Sequence, residues 1–375
     1  MQINLEVPKP RSPVVNPLLV RPDWLKEMPR DPKLLWLDKN ENSDKILLSL
    51  TRKVLSELDP TYLSTCLATY PEMAAFYQHL ANSEDISPKN LLLTAGSDGV
   101  IRTVFEAFIS PEDIVLHTAP TFAMYPVYCM IFGAKAVTLE YAPSERGPYL
   151  NIDTVISKLE TCKPRLFCLP NPDSPTGTVF TPSEIKYLLD KTQETGTLIL
   201  IDEAYFPFYS ETAIQLVNQY PHLVIARTFS KAWGLAGLRT GYAVAHPELT
   251  QYLHKVRPMY EVNTMAIGFI YKMLDYKNEI LASVKRINQG KAYFNQEMQK
   301  HGFKVLNGHG NFTHVAFGKL QSQIFDALAN LVIYRKDFKD PCLKGYSRFS
   351  ATTEDVFQQI INRITETVKN SGNVK

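Results

Sequence analysis

An aspartate and a lysine stand where they could do chemistry together. Asp202 directly follows the apolar run Leu198–Ile201, and Lys231 comes soon after a second apolar run, Leu223–Arg227. Ligands in open parallel sheets bind beyond the carboxyl ends of the strands. A carboxylate in that place could bind a metal, position a histidine, pair with a cofactor cation, or simply cap the next helix.

The surroundings of Lys231 favour an active site. A lone lysine on a loop is usually solvated. Lys231 instead follows Ser230 and precedes a glycine-rich stretch that contains Arg239; its glycines are Gly234, Gly237 and Gly241. A lysine amine can act as a covalent nucleophile towards a carbonyl group. We therefore expect Asp202 and Lys231 to share one site at the edge of a sheet.

The pattern of apolar runs predicts the elements that hold this site. Continuous apolar strands separated by helices indicate an α/β fold with a mostly parallel sheet covered on both faces. The predicted strands are Leu91–Thr94, Ile114–Thr118, Ala136–Tyr141, Arg165–Leu169, Thr197–Ile201, Leu223–Arg227 and Gly241–Ala245; the predicted helices between them are Gly99–Phe108 and Pro182–Thr195.

The pattern changes after about residue 247, which indicates a second, smaller α+β domain. Long helices are predicted at Pro247–Lys255 and Asn278–Lys300, followed by short strands at Phe303–Leu306, Thr313–Phe317, Leu331–Arg335 and Arg348–Ser350 around a helix at Gln321–Asn330. Residues 1–32 are rich in proline and predict an extended N-terminal arm. The predicted division is 1–32 arm, 33–47 part of the small domain, 48–250 large domain and 251–375 small domain.

Composition excludes several classes of partner. With 40 Lys+Arg, 38 Asp+Glu and a net charge of +2, the chain has no basic surplus for nucleic acid or an anionic membrane. No apolar run is long enough to span a bilayer, and no secretory signal is visible. The five cysteines are scattered and predict neither a disulfide framework nor a zinc site. We expect a cytoplasmic protein without metal.

Several motifs together resemble the fold-type-I pyridoxal-phosphate aminotransferases, and more narrowly the histidinol-phosphate aminotransferase branch. The resemblance covers roughly residues 33 to 368. The motifs are Asp202-Glu203-Ala204-Tyr205, Ser230-Lys231-Ala232, Gly237-Leu238-Arg239-Thr240-Gly241, Asn40-Glu41-Asn42, Tyr70-Pro71, Ala95-Gly96-Ser97-Asp98, Pro120-Thr121-Phe122, Asn171-Pro172-Asp173-Ser174-Pro175-Thr176-Gly177, Ile333-Tyr334-Arg335 and Tyr346-Ser347-Arg348.

The resemblance implies a large domain with a seven-stranded sheet, a cofactor and a set of roles. Lys231 would carry pyridoxal phosphate as a Schiff base, Asp202 would stabilise its protonated ring nitrogen, and Tyr205 would hydrogen-bond its phenolic oxygen. Phe122 would stack on the ring, and Ser174 would lie near the phenolic oxygen. The implied phosphate ligands are Gly96, Ser97, Asp98, Ser230, Arg239 and the partner subunit's Tyr70, which makes the enzyme a homodimer; the implied substrate ligands are Asn40, Arg335 and Arg348.

Three departures from the family bear on the activity. Serine stands at position 174, where the family usually has asparagine, and glycine stands at position 99, where the family often has glutamate. In addition, no tyrosine is present near Leu18 to help hold a substrate phosphate. The resemblance implies transfer of an amino group between an amino acid or amino phosphate and a 2-oxo acid such as 2-oxoglutarate. The alternative is a decarboxylase similar to threonine-phosphate decarboxylase.

Overall fold

A seven-stranded sheet forms the centre of the molecule. The structure is a computed structural model that describes residues 10–26 and 29–372. The sheet is built from β2 (Leu91–Thr94), β3 (Ile114–Ala119), β4 (Lys135–Glu140), β5 (Leu166–Pro170), β6 (Leu198–Asp202), β7 (Leu223–Thr228) and β8 (Gly241–Ala245). Their spatial order is β2-β8-β7-β6-β5-β3-β4, and β8 runs antiparallel to both of its neighbours while the other pairs are parallel.

Apolar side chains cover both faces of this sheet. Successive residues of a strand point to opposite faces. Along β6, Ile199 and Ile201 join one buried cluster while Leu200 joins another on the other side. Such double burial explains why these strands have continuous apolar sequences rather than alternating ones.

Twelve α-helices surround the strands within the described residues. They are α1 (Lys45–Glu57), α2 (Pro60–Ala68), α3 (Ala74–Glu84), α4 (Ser97–Phe108), α5 (Met124–Phe132), α6 (Ile152–Cys162), α7 (Pro182–Thr192), α8 (Pro247–Val256), α9 (Thr264–Met273), α10 (Lys277–Lys300), α11 (Gln321–Leu328) and α12 (Glu354–Gly372). Their starts follow local chemistry. At α7, for example, Thr181 and Glu184 form a reciprocal capping box and proline occupies the first turn.

A smaller antiparallel sheet follows in the C-terminal part. Strands β9 (Lys304–Leu306), β10 (Phe312–Ala316) and β12 (Ser347–Ser350) lie in the order β12-β10-β9. Strand β1 (Leu35–Trp36) pairs in parallel with β11 (Val332–Ile333), so a segment from the start of the chain contacts the C-terminal part. The proposed domain boundaries stay predictions.

The predicted fold class is confirmed, with differences in detail. All seven strands of the large sheet were predicted to within a residue at each end, whereas the predicted strand at Leu331–Arg335 is reduced to the two residues of β11. The helix predicted to reach Thr195 ends at Thr192, because the chain turns there towards Gly196 with φ 72°. No helix was predicted from the sequence between residues 45 and 84, where the structure has α1, α2 and α3.

The N-terminal arm differs from the extended prediction in its described part. Residues 1–9 and 27–28 of that predicted arm lie outside the described residues. Between residues 10 and 26 the chain forms turns and a short 3-10 helix at Trp24–Lys26. Side chains of Asn16 and Asp23 accept backbone N–H groups two residues on, which favours turns over extended backbone.

Candidate active site

A cavity of about 260 Å³ opens at the carboxyl ends of the central strands. The loops after β5, β6 and β7 and the start of α4 supply most of its wall. It is lined by Lys39, Glu41, Ser97, Asp98, Phe122, Pro170, Pro172, Ser174, Asp202, Ala204, Tyr205, Thr228, Ser230, Lys231, Ala236 and Arg239. Nine of the residues singled out from the sequence are therefore brought together here.

Asp202, the last residue of β6, presents a buried carboxylate to this cavity. Its Oδ2 accepts a hydrogen bond from the Tyr125 hydroxyl at 3.0 Å, and its Oδ1 accepts from the Ala204 backbone N–H at 3.0 Å. Burial raises the pKa of Asp202 to about 6, while the hydrogen bonds from Tyr125 and Ala204 lower it. A cation placed against this carboxylate would be strongly favoured, since the group is held away from water.

Lys231 enters the cavity from the loop after β7. A turn precedes it, in which the Ser230 N–H donates to Thr228 Oγ1 at 3.1 Å. The Lys231 Nζ donates to the Lys39 carbonyl at 2.8 Å and lies 5.9 Å from the centre of the Tyr205 ring. The amine therefore reaches from the loop of the large sheet to the segment that follows β1.

The start of α4 and Arg239 form a cradle for an anion. Gly96 has φ 82°, and a Cβ added there would lie 2.9 Å from the Arg239 Nη2. No residue with a side chain fits without moving the guanidinium. Ser97 begins α4, where free N–H groups and the helix dipole favour an anion. The Ser230 hydroxyl lies 3.5 Å from Arg239 Nη1, so the donors converge.

Asp98 adds to the same cradle a carboxylate whose charge is partly offset by a hydrogen bond from Tyr128 and by the nearby Arg239. Burial raises the pKa of Asp98, and both a hydrogen bond from the Tyr128 hydroxyl at 3.1 Å and the nearby Arg239 charge lower it. The Tyr128 pKa is raised in turn by burial and by the Asp98 charge. The backbone of Asp98, rather than its side chain, is suited to face an anion.

Phe122 and Ser174 both line the cavity wall. The Phe122 ring packs edge-on against Tyr125, with ring centres 5.9 Å apart. Behind Ser174, Asp173 is fully buried and accepts hydrogen bonds from Thr118 and Thr176. Burial raises the pKa of Asp173 to about 6. This hydrogen-bonded turn fixes where the Ser174 hydroxyl can stand.

Arg335 and Arg348 are brought together, but neither lines the cavity. Two backbone hydrogen bonds of 3.0 and 2.8 Å pair the two residues side by side. Arg348 is 9% exposed, donates to the Asp38 carbonyl at 2.8 Å, and its Nε has no hydrogen-bond partner among the described residues. Arg335 is exposed, with its guanidinium carbon 4.2 Å from the centre of the Phe338 ring.

Tyr70 and Asn40 also lie apart from the cavity wall. Tyr70 is 73% exposed and stacks on Tyr260 with ring centres 4.3 Å apart. Asn40 is buried and donates from its amide to the Tyr205 hydroxyl at 2.8 Å. The roles predicted for these two residues stay predictions.

Sequence reasoning missed two residues that support the site. Tyr125, fully buried, holds the Asp202 carboxylate, and Asp173 holds the turn of Ser174. Tyr125 lies three residues beyond Phe122 near the start of α5, and that spacing could have indicated a residue facing the same site. Asp173 carries a local signal as well, because its partner Thr176 lies three residues on in the same motif, whereas its contact with Thr118 joins residues distant in sequence.

Comparisons with known proteins add to the geometry. The sequence model of aminotransferase class I and II matches residues 32–364. A histidinol-phosphate aminotransferase of Caldanaerobacter subterraneus subsp. tengcongensis is 30% identical over 335 residues, covering 88% of this chain and 92% of the relative.

Solved structures share the fold. Histidinol-phosphate aminotransferase from Sinorhizobium meliloti, in complex with pyridoxal-5'-phosphate, matches with a TM-score of 0.75 at 22% identity, covering 90% of this chain and 91% of that one. L-threonine-O-3-phosphate decarboxylase from Porphyromonas gingivalis matches with a TM-score of 0.74 at 19% identity, covering 90% and 100%. One architecture therefore serves both reactions.

Proposed function

The chain belongs to the class I and II aminotransferase family, and from this premise we propose that it transfers the amino group of a histidinol-phosphate-like amino phosphate, or of an amino acid, to a 2-oxo acid with pyridoxal phosphate as cofactor. The observation that carries the proposal is the convergence on one cavity. A lysine amine, a buried carboxylate and an anion cradle all line it.

The residues of the cavity fit the chemical groups of this cofactor. The Lys231 amine suits its aldehyde, and the Asp202 carboxylate suits its protonated ring nitrogen. The cradle of Ser97, Ser230 and Arg239, which a Cβ at position 96 would fill, suits its phosphate. Tyr205 and Ser174 offer hydroxyls for its phenolic oxygen.

Each of these residues would have a defined task in catalysis. When bound, the cofactor supplies an electron sink for the charge that develops at the substrate Cα. Asp202, held by Tyr125 and the Ala204 N–H, stabilises the ring cation on which that sink depends. Lys231 is the general base that takes the proton from Cα, since its amine stands in the same cavity.

The two arginines would divide the recognition of substrate anions. Arg348 is buried and would bind an α-carboxylate bidentately, a geometry that guanidinium groups favour. Arg335, its exposed neighbour, would bind a distal carboxylate or phosphate. Because no tyrosine stands near Leu18, a phosphorylated substrate should bind less tightly than in an enzyme that has that ligand.

We further propose a homodimer with shared active sites. Tyr70 is the residue that would reach the cofactor phosphate of the neighbouring subunit. Its 73% exposure in a single chain is compatible with that role, since it is free to contact a second copy.

No helix of the described ranges 10–26 and 29–372 is long and apolar enough to cross a membrane.

A product assay tests this function. The enzyme, loaded with pyridoxal phosphate, is incubated with histidinol phosphate, threonine phosphate or glutamate, with and without a 2-oxo acid. We expect keto product together with a new amino acid, and no reaction when the 2-oxo acid is left out of a multiple-turnover assay. An amine and carbon dioxide from threonine phosphate would identify a decarboxylase instead.

A further inference from the structure

Asn40 is held rigidly beside Tyr205 and does not itself line the cavity. Its backbone has φ 55°, a left-handed conformation that asparagine tolerates. Its backbone N–H donates to Ser350 Oγ at 2.8 Å, and its carbonyl accepts from the Asn311 amide at 2.8 Å. At 3% exposure, the residue has little freedom to reorient towards a substrate.

The Asn40 amide presents its nitrogen to Tyr205 and its oxygen to Ser350. Ser350 Oγ donates to Asn40 Oδ1 at 3.4 Å, and Asn40 Nδ2 donates to the Tyr205 hydroxyl at 2.8 Å. An amide nitrogen is only a donor, so the tyrosine oxygen must be the acceptor in this pair. The proton of the Tyr205 hydroxyl is therefore available for a different acceptor.

The position of that proton follows from the geometry of a phenol. The hydroxyl hydrogen prefers the plane of the ring, which leaves it two orientations. Asn40 Nδ2 occupies one of these orientations, and Tyr205 lines the cavity whereas Asn40 does not, so we place the proton in the orientation away from Asn40. Within the described part of the chain, no hydrogen bond gives the proton another acceptor.

The residue at position 174 increases the importance of the orientation of the Tyr205 hydroxyl proton. The family usually donates to the phenolic oxygen of the cofactor from an asparagine there, whereas this chain has a serine with a shorter side chain. The hydroxyl of Tyr205 then carries more of the stabilisation of that oxygen.

Building on the function proposed above, we infer that Asn40 is a positioning residue which turns the Tyr205 hydroxyl proton into the cavity, towards the phenolic oxygen of the cofactor. It acts through Tyr205 and need not touch the substrate. By orienting Tyr205, Asn40 would compensate in part for the shorter hydrogen-bond donor that Ser174 offers to the phenolic oxygen.

The visible absorbance of the cofactor-loaded enzyme tests this inference, since it changes with pH as the lysine-linked nitrogen gains a proton. A donor to the phenolic oxygen lowers the midpoint of this change. Asn40→Asp keeps the shape but accepts the tyrosine proton, and Asn40→Ala removes the donor. We expect both to raise the midpoint, by about 0.5–1 pH unit, the size of one hydrogen bond.

Two controls separate the positioning role from others. In a Tyr205→Phe background, Asn40→Ala should cause no further change in the midpoint. Asn42→Ala removes another buried amide of the same segment, which bonds the Ala232 carbonyl rather than Tyr205, and should leave the midpoint unchanged. Cofactor content and circular dichroism identify any variant that fails to fold. If Asn40→Ala fails to fold, the midpoint of the isosteric variant Asn40→Asp decides whether the inference holds.

The outcomes are distinct. An unchanged midpoint in both Asn40 variants, with a raised KM, would show a substrate contact and overturn the inference. An equal effect of Asn40→Ala with and without the Tyr205 hydroxyl would overturn it as well. If the unaltered enzyme binds no cofactor with a visible band, the proposed function itself falls, and the inference with it.

Discussion

Replacing Asp202 by asparagine should make the protein more stable and the enzyme far slower. The ordinary pKa of this carboxyl is 3.8, and burial raises it to about 6 in the folded chain. The difference is about 2 pKa units at about 1.4 kcal/mol each, which gives about 3 kcal/mol. Asparagine keeps both hydrogen bonds, since Tyr125 can accept from its amide nitrogen and Ala204 can still donate to its oxygen.

The sign of the effect depends on pH. A carboxyl whose pKa is raised by folding favours the folded state only while it is protonated, so its contribution is lost as pH rises through about 6. Below about pH 4 the asparagine variant and the unaltered protein should be equally stable. Above about pH 6 the variant should be more stable by up to about 3 kcal/mol in the cofactor-free form.

The assay is urea unfolding of the cofactor-free proteins between pH 4 and 8, together with kcat of the loaded enzymes. Loss of one preorganised charge costs about 3–4 kcal/mol, or roughly 10²–10³-fold in kcat. Asp173→Asn is a matched control, because Asp173 is equally buried with the same pKa of about 6 but does not line the cavity. It should share the gain in stability with a much smaller loss of kcat.

Two results would refute this reasoning. A stability difference that does not vary with pH would show that Asp202 is not the titrating group. A kcat close to normal in the asparagine variant would show that its charge does not support catalysis.

Further outcomes are expected for Lys231, for Tyr70 and for the two arginines. Lys231→Ala should abolish turnover and the visible band of the lysine-linked cofactor; a band that borohydride fixes to another lysine would contradict it. Sedimentation should show a homodimer, and Tyr70→Ala should weaken cofactor binding; a fully active monomer would disprove shared sites. Arg348→Ala should cost every α-carboxylate substrate about 2–5 kcal/mol in kcat/KM, because it leaves a buried charge unpaired. Arg335→Ala should weaken only substrates with a second anion, and by less because it is exposed; equal losses on paired substrates would refute this division.

The large sheet could be predicted because burial on both faces leaves a clear mark on the sequence. Strands such as β6 and β7 are buried at every residue and are therefore continuously apolar. The helices α2 and α3 left no comparable mark. Helix α2, for instance, is short and exposes most of its residues, so its composition resembles that of a loop.

The candidate site was predictable where one segment carries several of its residues. Ser230, Lys231 and Arg239 lie on one loop, and their types indicate an active site without knowledge of the fold; the cofactor was implied by the resemblance to the aminotransferase family. The contact between Asn40 and Tyr205 could not be predicted, because it joins residues far apart in sequence and depends on how the segment after β1 packs. The partners of Arg348 depend on the same packing.

The antiparallel strand β8 has a consequence for how the enzyme can vary. Because β8 returns directly beside β7, no crossover helix intervenes, and one short loop carries both Lys231 and Arg239. The two anchors proposed for neighbouring substituents of the cofactor ring, its aldehyde and its phosphate, are thus separated by a fixed number of residues. Gly237 is exposed there, and a Cβ added to it would meet no atom within 4 Å. Position 237 can therefore accept a side chain during evolution or engineering, whereas a change in the length of the loop would displace one anchor relative to the other.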